Sequence, residues 1–171
     1  IHSHNYRNPQ QLPKGAVLVV GSGSSGSQIA AELQQSGRKV YLSMGPHNKP
    51  PRAYRGKDYL WWLGVLGYWQ ALAPKPDMEH VTIAVSGAGG GQTVDFRRLA
   101  REGMTLLGRV QSFENDILHV ADDLQTNLRR GDADYLSVLD AADAYAALHK
   151  LDMPEEAGAR VMLPDPDCVV N

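Results

Sequence analysis

Apolar and polar positions in the first part of the chain follow the order expected for a strand, a helix and a second strand. Residues 16–20 (AVLVV) are a continuous apolar run rich in β-branched side chains, typical of a parallel strand that is buried on both faces. Over 25–36 the apolar residues recur at helical spacing, and Gly37 is a natural helix stop. Residues 39–43 (KVYLS) predict the second strand. The pattern therefore predicts a right-handed β-α-β unit.

The rest of the chain is less regular. Residues 45–56 contain three prolines and two glycines, which predict a loop without ordered elements. A helix rich in tryptophan is expected over 58–73, so that about 45–80 forms a helical insertion. Further along, the pattern predicts a strand at 81–87, a short helix at 96–102, strands at 104–110 and 116–121 that pair as a β-hairpin, and a long helix from 122 to about 151. That helix begins with Asp122 or Asp123 as its N-cap, and Gly131 could interrupt it.

Alternating strands and helices of this kind indicate an α/β fold: a Rossmann-like dinucleotide-binding domain with a mainly parallel sheet, carrying the helical insertion and the hairpin. Residues 16–171 are assigned to this domain. Residues 1–15 are polar and contain proline, and they are interpreted as an incoming extended segment. The chain begins at Ile1 and stops shortly after a proline-rich turn, so we interpret it as part of a longer protein.

Composition and charge argue against several classes of binding partner. Of the 171 residues 43% are hydrophobic and 21% are charged, and the formal net charge is −2. This balance disfavours nucleic-acid or membrane-surface binding, which requires a basic excess. The longest apolar stretch, 59–73, is too short to span a bilayer. The single cysteine, Cys168, excludes an internal disulfide and fits a reducing, cytoplasmic location. The histidines lack partners at metal-ligand spacing, so no metal site is predicted.

A glycine-rich turn joins the first strand to the first helix and matches G-x-G-x-x-G in the context that this motif requires. Gly21 permits the tight turn, Gly23 allows the backbone to approach a pyrophosphate, and Gly26 lets the helix pack against the strand. The N–H groups of the first helical turn then face the anion. The predicted cofactor contacts are Gly21, Ser22, Gly23, Ser24, Ser25, Gly26 and Gln28. The alternative is a plain glycine-rich β–α turn, and a serine nucleophile elbow does not fit because G-x-S-x-G is absent.

The end of the second strand indicates which dinucleotide is bound. NAD and FAD sites usually carry an acidic residue there for the ribose hydroxyls, whereas this strand ends in Tyr-Leu-Ser-Met-Gly (41–45). Basic residues follow, and a guanidinium suits a phosphate. We therefore expect Ser43, with one or more of Lys49, Arg52 and Arg55, to hold the 2′-phosphate of NADP(H). A solvated basic loop is the alternative.

Two consecutive stretches resemble the flavin-containing monooxygenase family. HSHNYRNP, followed by LPKGAVLVVGSGSSGSQIAAEL, is similar to the family's F-x-G-x-x-x-H-x-x-x-[YF] signature and to the NADPH-binding G-x-G-x-S-G segment that comes after it. His2 matches the signature histidine, Tyr6 its closing aromatic residue, and Ser25-Gly26 the Ser-Gly pair. The Phe and Gly that should precede His2 are missing, and the strong resemblance covers about the first 60 residues.

The resemblance implies a two-domain flavoprotein in which an NADPH domain is inserted into a split FAD domain. This chain has one dinucleotide fingerprint and lacks the family's A-T-G motif, so it corresponds to the NADP(H)-binding domain, and residues 1–15 arrive from the FAD domain. In the intact enzyme NADPH would reduce FAD, and the reduced flavin would use oxygen to oxygenate a small-molecule substrate. The implied cofactors are NADP(H) and, in the parent protein, FAD. The fragment alone is not expected to be catalytic.

Two further functions and two further sites remain to be considered. A flavoprotein reductase would be favoured by a redox-active C-x-x-C, which is absent. A non-catalytic nucleotide sensor would be expected to have natural chain ends. Residues 86–91 could form a second phosphate cradle, although a loop fits better because no clear helix follows. Trp61, Trp62 and Trp69 are expected mainly to pack the insertion, partly towards the FAD domain, rather than to line a substrate passage.

Overall fold

The computed structural model describes residues 1–70, 81–87 and 90–165. The strands are β1 (Val17–Val20), β2 (Val40–Ser43), β3 (His47–Asn48), β4 (Ala53–Tyr54), β5 (Lys57–Asp58), β6 (Thr82–Ile83), β7 (Thr105–Leu107), β8 (Val110–Glu114) and β9 (Ile117–Val120). The helices are α1 (Ser24–Gln35), α2 (Tyr59–Val65), α3 (Phe96–Arg101) and α4 (Leu124–Leu148). Short 3-10 turns occupy Ser3–Asn5, Pro9–Gln11, Tyr68–Gln70 and Ala157–Arg160.

A three-stranded parallel sheet in the order β1-β2-β7 is the base of the fold. Val17 pairs with Val40 across β1 and β2, and Leu42 pairs with Leu106 across β2 and β7. The predicted β-α-β unit is confirmed, because α1 joins the parallel strands β1 and β2. The mixed α/β class and its parallel sheet are also confirmed, although the sheet is small within the described residues.

Two apolar clusters stabilise the fold. One lies around the sheet, where side chains of α1, β2, α3, β7 and α4 meet; its fully buried members include Leu33, Leu42, Phe96, Leu106 and Leu124. The other joins the insertion to α4 through Tyr54, Trp62, Leu139 and Ala142. Each fully buried large apolar side chain contributes about 1.5–3 kcal/mol.

The first strand differs from the prediction of burial on both faces. Val17 and Val19 are partly buried, whereas Leu18 and Val20 are 39% and 65% exposed. Among the described residues β1 pairs only with β2, so it is an edge strand. Helix α1 contacts β1, and the side chain of Val19 lies close to Gly26 of that helix. The apolar run was therefore correctly predicted as a strand, but its second face is open.

The predicted loop at 45–56 contains short ordered elements despite its prolines. Strand β3 pairs in parallel with β6, and β4 pairs with β5 across a two-residue turn. Arg55 and Gly56 form that turn with φ angles of 51° and 71°, the left-handed conformation that two-residue hairpins favour. The prolines lie beside these strands rather than within them. The residue pattern did not reveal the strands because each is only two residues long.

The next two elements are shorter than predicted. Helix α2 ends at Val65, and Gly67 adopts a φ of 75° before the 3-10 turn; residues 71–73 of the predicted helix lie outside the described residues. The strand expected at 81–87 is limited to β6. Trp62 is fully buried and its Nε1 donates to the Tyr54 carbonyl at 3.0 Å, which confirms its packing role, whereas Trp69 is 60% exposed.

The predicted hairpin of 104–110 with 116–121 is wrong in its first strand. β7 ends at Leu107 and belongs to the parallel sheet, and the antiparallel hairpin is formed by β8 and β9. Gly108 lies between the strand of the parallel sheet and the strand of the hairpin. The chain passes so close to Ala121 there that a Cβ on Gly108 would overlap the Ala121 carbonyl oxygen. The chain leaves the sheet at this close approach, so one apolar run supplies strands to two sheets.

The long helix is confirmed as α4, and Gly131 does not interrupt it. Asp123 occupies the N-cap position, but its carboxylate makes no capping hydrogen bond. It accepts instead from the backbone N–H and the Nε of Arg109, at 3.0 and 2.9 Å. Within the described ranges no helix is long and apolar enough to cross a membrane. The same residues contain no group of three or more His, Cys, Asp or Glu placed to hold a metal ion.

Candidate nucleotide site

The glycine turn between β1 and α1 has the backbone geometry of a tight cradle. Gly21 has a φ of 104°, which residues with a Cβ rarely adopt. A Cβ on Gly26 would overlap the carbonyl oxygen of Gly21, so only glycine fits there. A Cβ on Gly23 would lie 3.2 Å from the Cβ of Thr82. The three glycines of the motif therefore each meet a distinct steric requirement.

The N-terminus of α1 has no side-chain cap. Gly23 is its N-cap residue, and the first turn contains no acidic residue. The first N–H groups of a helix have no partner within the helix and carry the positive end of its dipole. The hydroxyl of Ser22 is buried and has no hydrogen-bond partner among the described residues. The turn thus combines unsatisfied donors with space that only glycine leaves open.

A groove of about 580 Å³ runs along β1 and the glycine turn. It is lined by residues of β1 and the glycine turn (17–21 and 23–26), of α1, of the segment 81–83 and of the incoming segment, including Tyr6 and Leu12. A volume of this size is within the range of small-molecule and cofactor sites. The groove runs along the whole of the edge strand β1 and reaches the glycine turn at its carboxyl end, where ligands of open α/β sheets bind.

Two of the predicted cofactor contacts, Ser24 and Gln28, form hydrogen bonds to the segment 82–86, which contains β6. The hydroxyl of Ser24 donates to the Ile83 carbonyl at 2.9 Å and accepts from the N–H of Val85 at 3.4 Å. Nε2 of Gln28 donates to the Ser86 hydroxyl at 3.2 Å. These contacts tie the segment to α1. Of the second predicted cradle, 86–91, residues 88 and 89 lie outside the described part of the chain.

The carboxyl end of β2 has no acidic side chain. Ser43 is buried: its hydroxyl donates to the Gly108 carbonyl at 2.9 Å and accepts from the N–H of Val110 at 3.0 Å, and its carbonyl accepts from the N–H of Gly21. Ser43 therefore fixes the relative positions of the glycine turn and the end of β7.

Arg109 is a cation at this edge that sequence reasoning missed. A Cβ on Gly45 would lie 3.2 Å from both Cγ and Cδ of Arg109, so the arginine side chain packs along the backbone just after β2. Its guanidinium Nε pairs with Asp123 at 2.9 Å, and the side chain is 53% exposed. The signal available in the sequence was a Gly-Arg pair directly after an apolar strand, which the prediction of one continuous strand at 104–110 concealed.

The three predicted basic contacts pair with carboxylates. Nζ of Lys49 lies 3.0 Å from Asp132 of α4, and the Lys49 side chain is 8% exposed. Arg52 pairs with Asp58, and its backbone N–H donates to the Thr93 hydroxyl at 2.9 Å.

Nη1 of Arg55 lies 2.7 Å from Asp143, which also accepts from the Tyr54 hydroxyl and from Arg160. Burial alone would raise the pKa of Asp143, but hydrogen bonds from Arg160, Arg55 and Tyr54 hold it below its usual value of 3.8. The basic loop is therefore cross-linked to the rest of the fold rather than solvated.

The incoming segment docks on α1. The Tyr6 hydroxyl donates to Glu32 at 2.9 Å, and Tyr6 and Leu12 pack against the core around the sheet. Burial, together with the hydrogen bond and charge of Glu32, raises the pKa of Tyr6 to about 12. Nδ1 of His2 accepts from the N–H of His4 at 3.1 Å. The two residues of the predicted signature thus order this segment locally.

Comparisons with known proteins find the family that the first stretches of the sequence resemble. The family model described as flavin-binding monooxygenase-like matches residues 1–47. The relative named "Uncharacterized oxidoreductase CzcO-like", from Geobacillus kaustophilus, is 34% identical over 131 residues, which cover 75% of this chain and 36% of the relative.

Two other relatives match over shorter ranges. One from Bacillus velezensis, named "Uncharacterized oxidoreductase CzcO", is 43% identical over 70 residues, 39% of this chain and 19% of the relative. The Arabidopsis thaliana protein named "Flavin-containing monooxygenase FMO GS-OX-like 7" is 38% identical over 64 residues, 36% of this chain and 13% of the relative. No solved structure matches the chain.

The chain combines a β-α-β unit and a glycine cradle with similarity to relatives named as oxidoreductases and monooxygenases. Its first 47 residues match the flavin-binding monooxygenase-like family, so the chain is similar to flavin monooxygenase-like oxidoreductases. It spans little more than a third of the length of its Geobacillus relative.

Proposed function

We propose that this chain is the Rossmann-like NADP(H)-binding domain of a flavin-dependent monooxygenase or related oxidoreductase. The observation that carries the proposal is the uncapped N-terminus of α1 behind a turn in which Gly26 admits no side chain. A helix start of this kind binds the pyrophosphate of a dinucleotide through backbone N–H groups.

The glycine turn would hold the pyrophosphate. Its contacts would be the N–H groups at the start of α1, where Gly23 lets the phosphates approach the backbone. The Ser22 hydroxyl lacks a partner among the described residues, but it is buried and does not line the groove, so it would reach the nucleotide only after a shift of the turn. The hydroxyl of Ser24 and the amide of Gln28 bond to Ile83 and Ser86, and through these bonds they would position the segment 82–86 beside the bound nucleotide.

The adenosine end would lie over the carboxyl ends of β2 and β7. The lack of an acid at the end of β2 removes repulsion of a 2′-phosphate. Arg109, which lies beside Gly45, is the first candidate for its cationic contact. Ser43 would contribute through the backbone geometry it fixes. Like Arg109, which pairs with Asp123, the other candidates Lys49, Arg52 and Arg55 each share their charge with a carboxylate. Their side chains are 8%, 23% and 19% exposed, whereas that of Arg109 is 53% exposed.

The family description names a flavin, and we assign FAD to a domain of the parent protein outside this chain. Bound NADPH supplies the hydride for flavin reduction. This chain's own residues would bind and orient the nucleotide, and the FAD-binding domain and a small-molecule substrate would be its partners. Residues 1–15 would connect to that FAD domain. The cytoplasmic location stays a prediction.

Calorimetric titration of the 171-residue chain with NADPH, NADH and FAD tests the proposal. We expect NADPH to bind most tightly. Gly23→Val should abolish this binding, because the branched side chain would fill the cradle and press on Thr82. Gly158→Val is the matched control, since a Cβ there meets nothing within 4 Å, and it should bind NADPH as the original chain does.

Circular dichroism of both variants separates loss of binding from loss of fold. A preference for FAD would assign the glycine turn to a flavin site instead. Absence of binding to all three nucleotides by the folded chain, or full binding by Gly23→Val, would contradict the proposal.

A further inference from the structure

A second cavity, of about 370 Å³, lies between the start of α3, the segment 92–95 that precedes it, and the segment 161–163. None of its lining residues belongs to the groove beside the glycine turn. Its volume is sufficient for a small organic molecule. It does share residues 92–95 and Arg98 with a third cavity that reaches Ser25 and Gln28 of α1, so it is a candidate binding site distinct from the groove but adjacent to α1.

Cations dominate the charged lining of this cavity. Lys49, Arg97 and Arg98 line it, and the one lining carboxylate, Asp95, accepts a hydrogen bond from the backbone N–H of Arg98 at 3.1 Å. The Lys49 and Arg97 side chains are only 8% and 7% exposed. Cations buried to this degree require compensation by anions or strong acceptors.

One carboxylate of α4, Asp132, serves both buried cations. It lies 3.0 Å from Nζ of Lys49 and 2.9 Å from Nη1 of Arg97, outside the cavity lining. The neighbouring Asp134 accepts the backbone N–H of Lys49 at 2.8 Å, and burial raises the pKa of Asp134. Two buried cations, the Lys49 ammonium and the Arg97 guanidinium, thus share one directly paired carboxylate on α4.

The second partner of Arg97 comes from the surface. Nε of Arg97 lies 2.8 Å from the carboxylate of Asp165, whose side chain is 42% exposed. Because Asp165 remains accessible to water, its carboxylate can leave Arg97 at a lower cost than that of Asp132, whose side chain is 16% exposed. Asp165 does not itself line the cavity, but its contact shows that the Nε edge of the Arg97 guanidinium binds a carboxylate.

The uncharged lining residues include the polar Gln92 and Thr93 beside several apolar side chains. Val94, Val161, Met162 and Leu163 line the cavity, with Tyr135 opposite, whose hydroxyl donates to the Ala159 carbonyl at 2.9 Å. A ligand that matches these walls needs a hydrocarbon body and one anionic group. We propose that this cavity binds a small monocarboxylate with an apolar tail, whose carboxylate replaces Asp165 on Arg97.

Hexanoate is a suitable probe for this site, and amide chemical shifts of the ¹⁵N-labelled chain are a suitable readout. We expect saturable shifts confined to residues around the cavity, with an affinity of about a millimolar for a ligand of this size. Hexanamide, which lacks the charge, should bind far more weakly. Inorganic phosphate, which lacks the tail, should also bind more weakly.

Three variants test the geometry. Asp165→Ala should raise hexanoate affinity about three- to fivefold, because it removes the competing carboxylate. Arg98→Glu should lower it at least threefold, because it reverses a lining charge. Asp152→Ala, an exposed aspartate outside the cavity, is the matched control and should leave it unchanged.

The proposal is overturned if hexanoate gives no saturable shifts, if hexanamide or phosphate binds equally well, or if Asp165→Ala fails to strengthen binding. Displacement of hexanoate by NADPH would also overturn it, because the cavity would then be part of the nucleotide site. The result is independent of the proposed function, since hexanoate binding is measured without nucleotide and the glycine turn takes no part in it.

Discussion

Gly131 of α4 lies directly against the imidazole of His47, so that a Cβ on the glycine would stand 2.5 Å from Nε2. His47 is completely buried; its Nδ1 lies 3.0 Å from the Gly45 carbonyl, and its ring packs edge-on against Phe96 at 5.0 Å. Through this contact α4 supports β3, the short strand that follows the end of β2. The glycine is thus a packing residue within a continuous helix.

Gly131→Ala should destabilise the chain by about 1–3 kcal/mol through overpacking, although alanine at an open helix position would stabilise by about 1 kcal/mol. The measurement is urea unfolding of both proteins. His47→Ala/Gly131→Ala should recover part of the loss relative to His47→Ala alone, because the ring that the methyl group meets is gone. A more stable Gly131→Ala single variant would refute the packing role.

Stability should fall as the pH decreases through 6.5. Burial lowers the pKa of His47 from 6.5, so below that pH the unfolded chain binds a proton that the folded chain does not. The contribution is complete above pH 6.5 and is lost as the pH falls towards the folded pKa, by roughly 1 kcal/mol per pH unit. Urea unfolding at pH 7.5 and 5.5 measures it.

His47→Asn is the comparison for this pH effect. Its side-chain amide can replace the donor at Nδ1 towards Gly45 but does not titrate in this range. Its unfolding free energy should therefore vary less between the two pH values than that of the original chain. Equal pH dependence in both proteins would remove His47 as the cause.

Asp143→Asn should cost about 1–2 kcal/mol, because the carboxylate accepts hydrogen bonds from Tyr54, Arg55 and Arg160. Asp140→Asn, on the same helix and paired with Arg160 alone at 68% exposure, should change stability by less than about 0.5 kcal/mol. Thermal unfolding of the two variants measures the difference. Equal losses of stability in the two variants would contradict the prediction. They would mean that the Asp143 carboxylate stabilises the insertion no more than the exposed Asp140–Arg160 pair does.

Arg109→Gln should weaken NADPH binding about tenfold and leave NADH binding nearly unchanged, because a charge-assisted hydrogen bond to the 2′-phosphate is lost. Titration with both nucleotides gives this ratio, and Arg101→Gln, at the exposed end of α3, is the control. Equal weakening of both nucleotides would assign Arg109 a structural role with Asp123. Arg52→Gln and Arg55→Gln, titrated alongside, compare the basic contacts expected from the sequence.

The local chemistry of the glycine turn was predictable because it depends on neighbours along the chain. Gly21, Gly23 and Gly26 stand in one short segment between an apolar run and a helical pattern, and their steric roles follow from backbone geometry. The β-α-β unit, the short helix α3 and the long helix α4 were predictable for the same reason, since hydrophobic periodicity reports each element by itself.

Contacts between distant segments were decided by the tertiary structure. The pairing of Lys49 with Asp132 joins residues 83 positions apart, and no local pattern distinguishes such a lysine from a solvated one. The division of 104–110 between the parallel sheet and the hairpin depends on how closely Ala121 approaches Gly108. The same change of direction at Gly108 places Arg109 beside Gly45. By itself the sequence determined the β-α-β unit, its glycine turn, α3 and α4, because those depend on local sterics and periodicity. The division of 104–110 between two sheets and the pairing of charges were decided only by the packing of segments far apart in the chain.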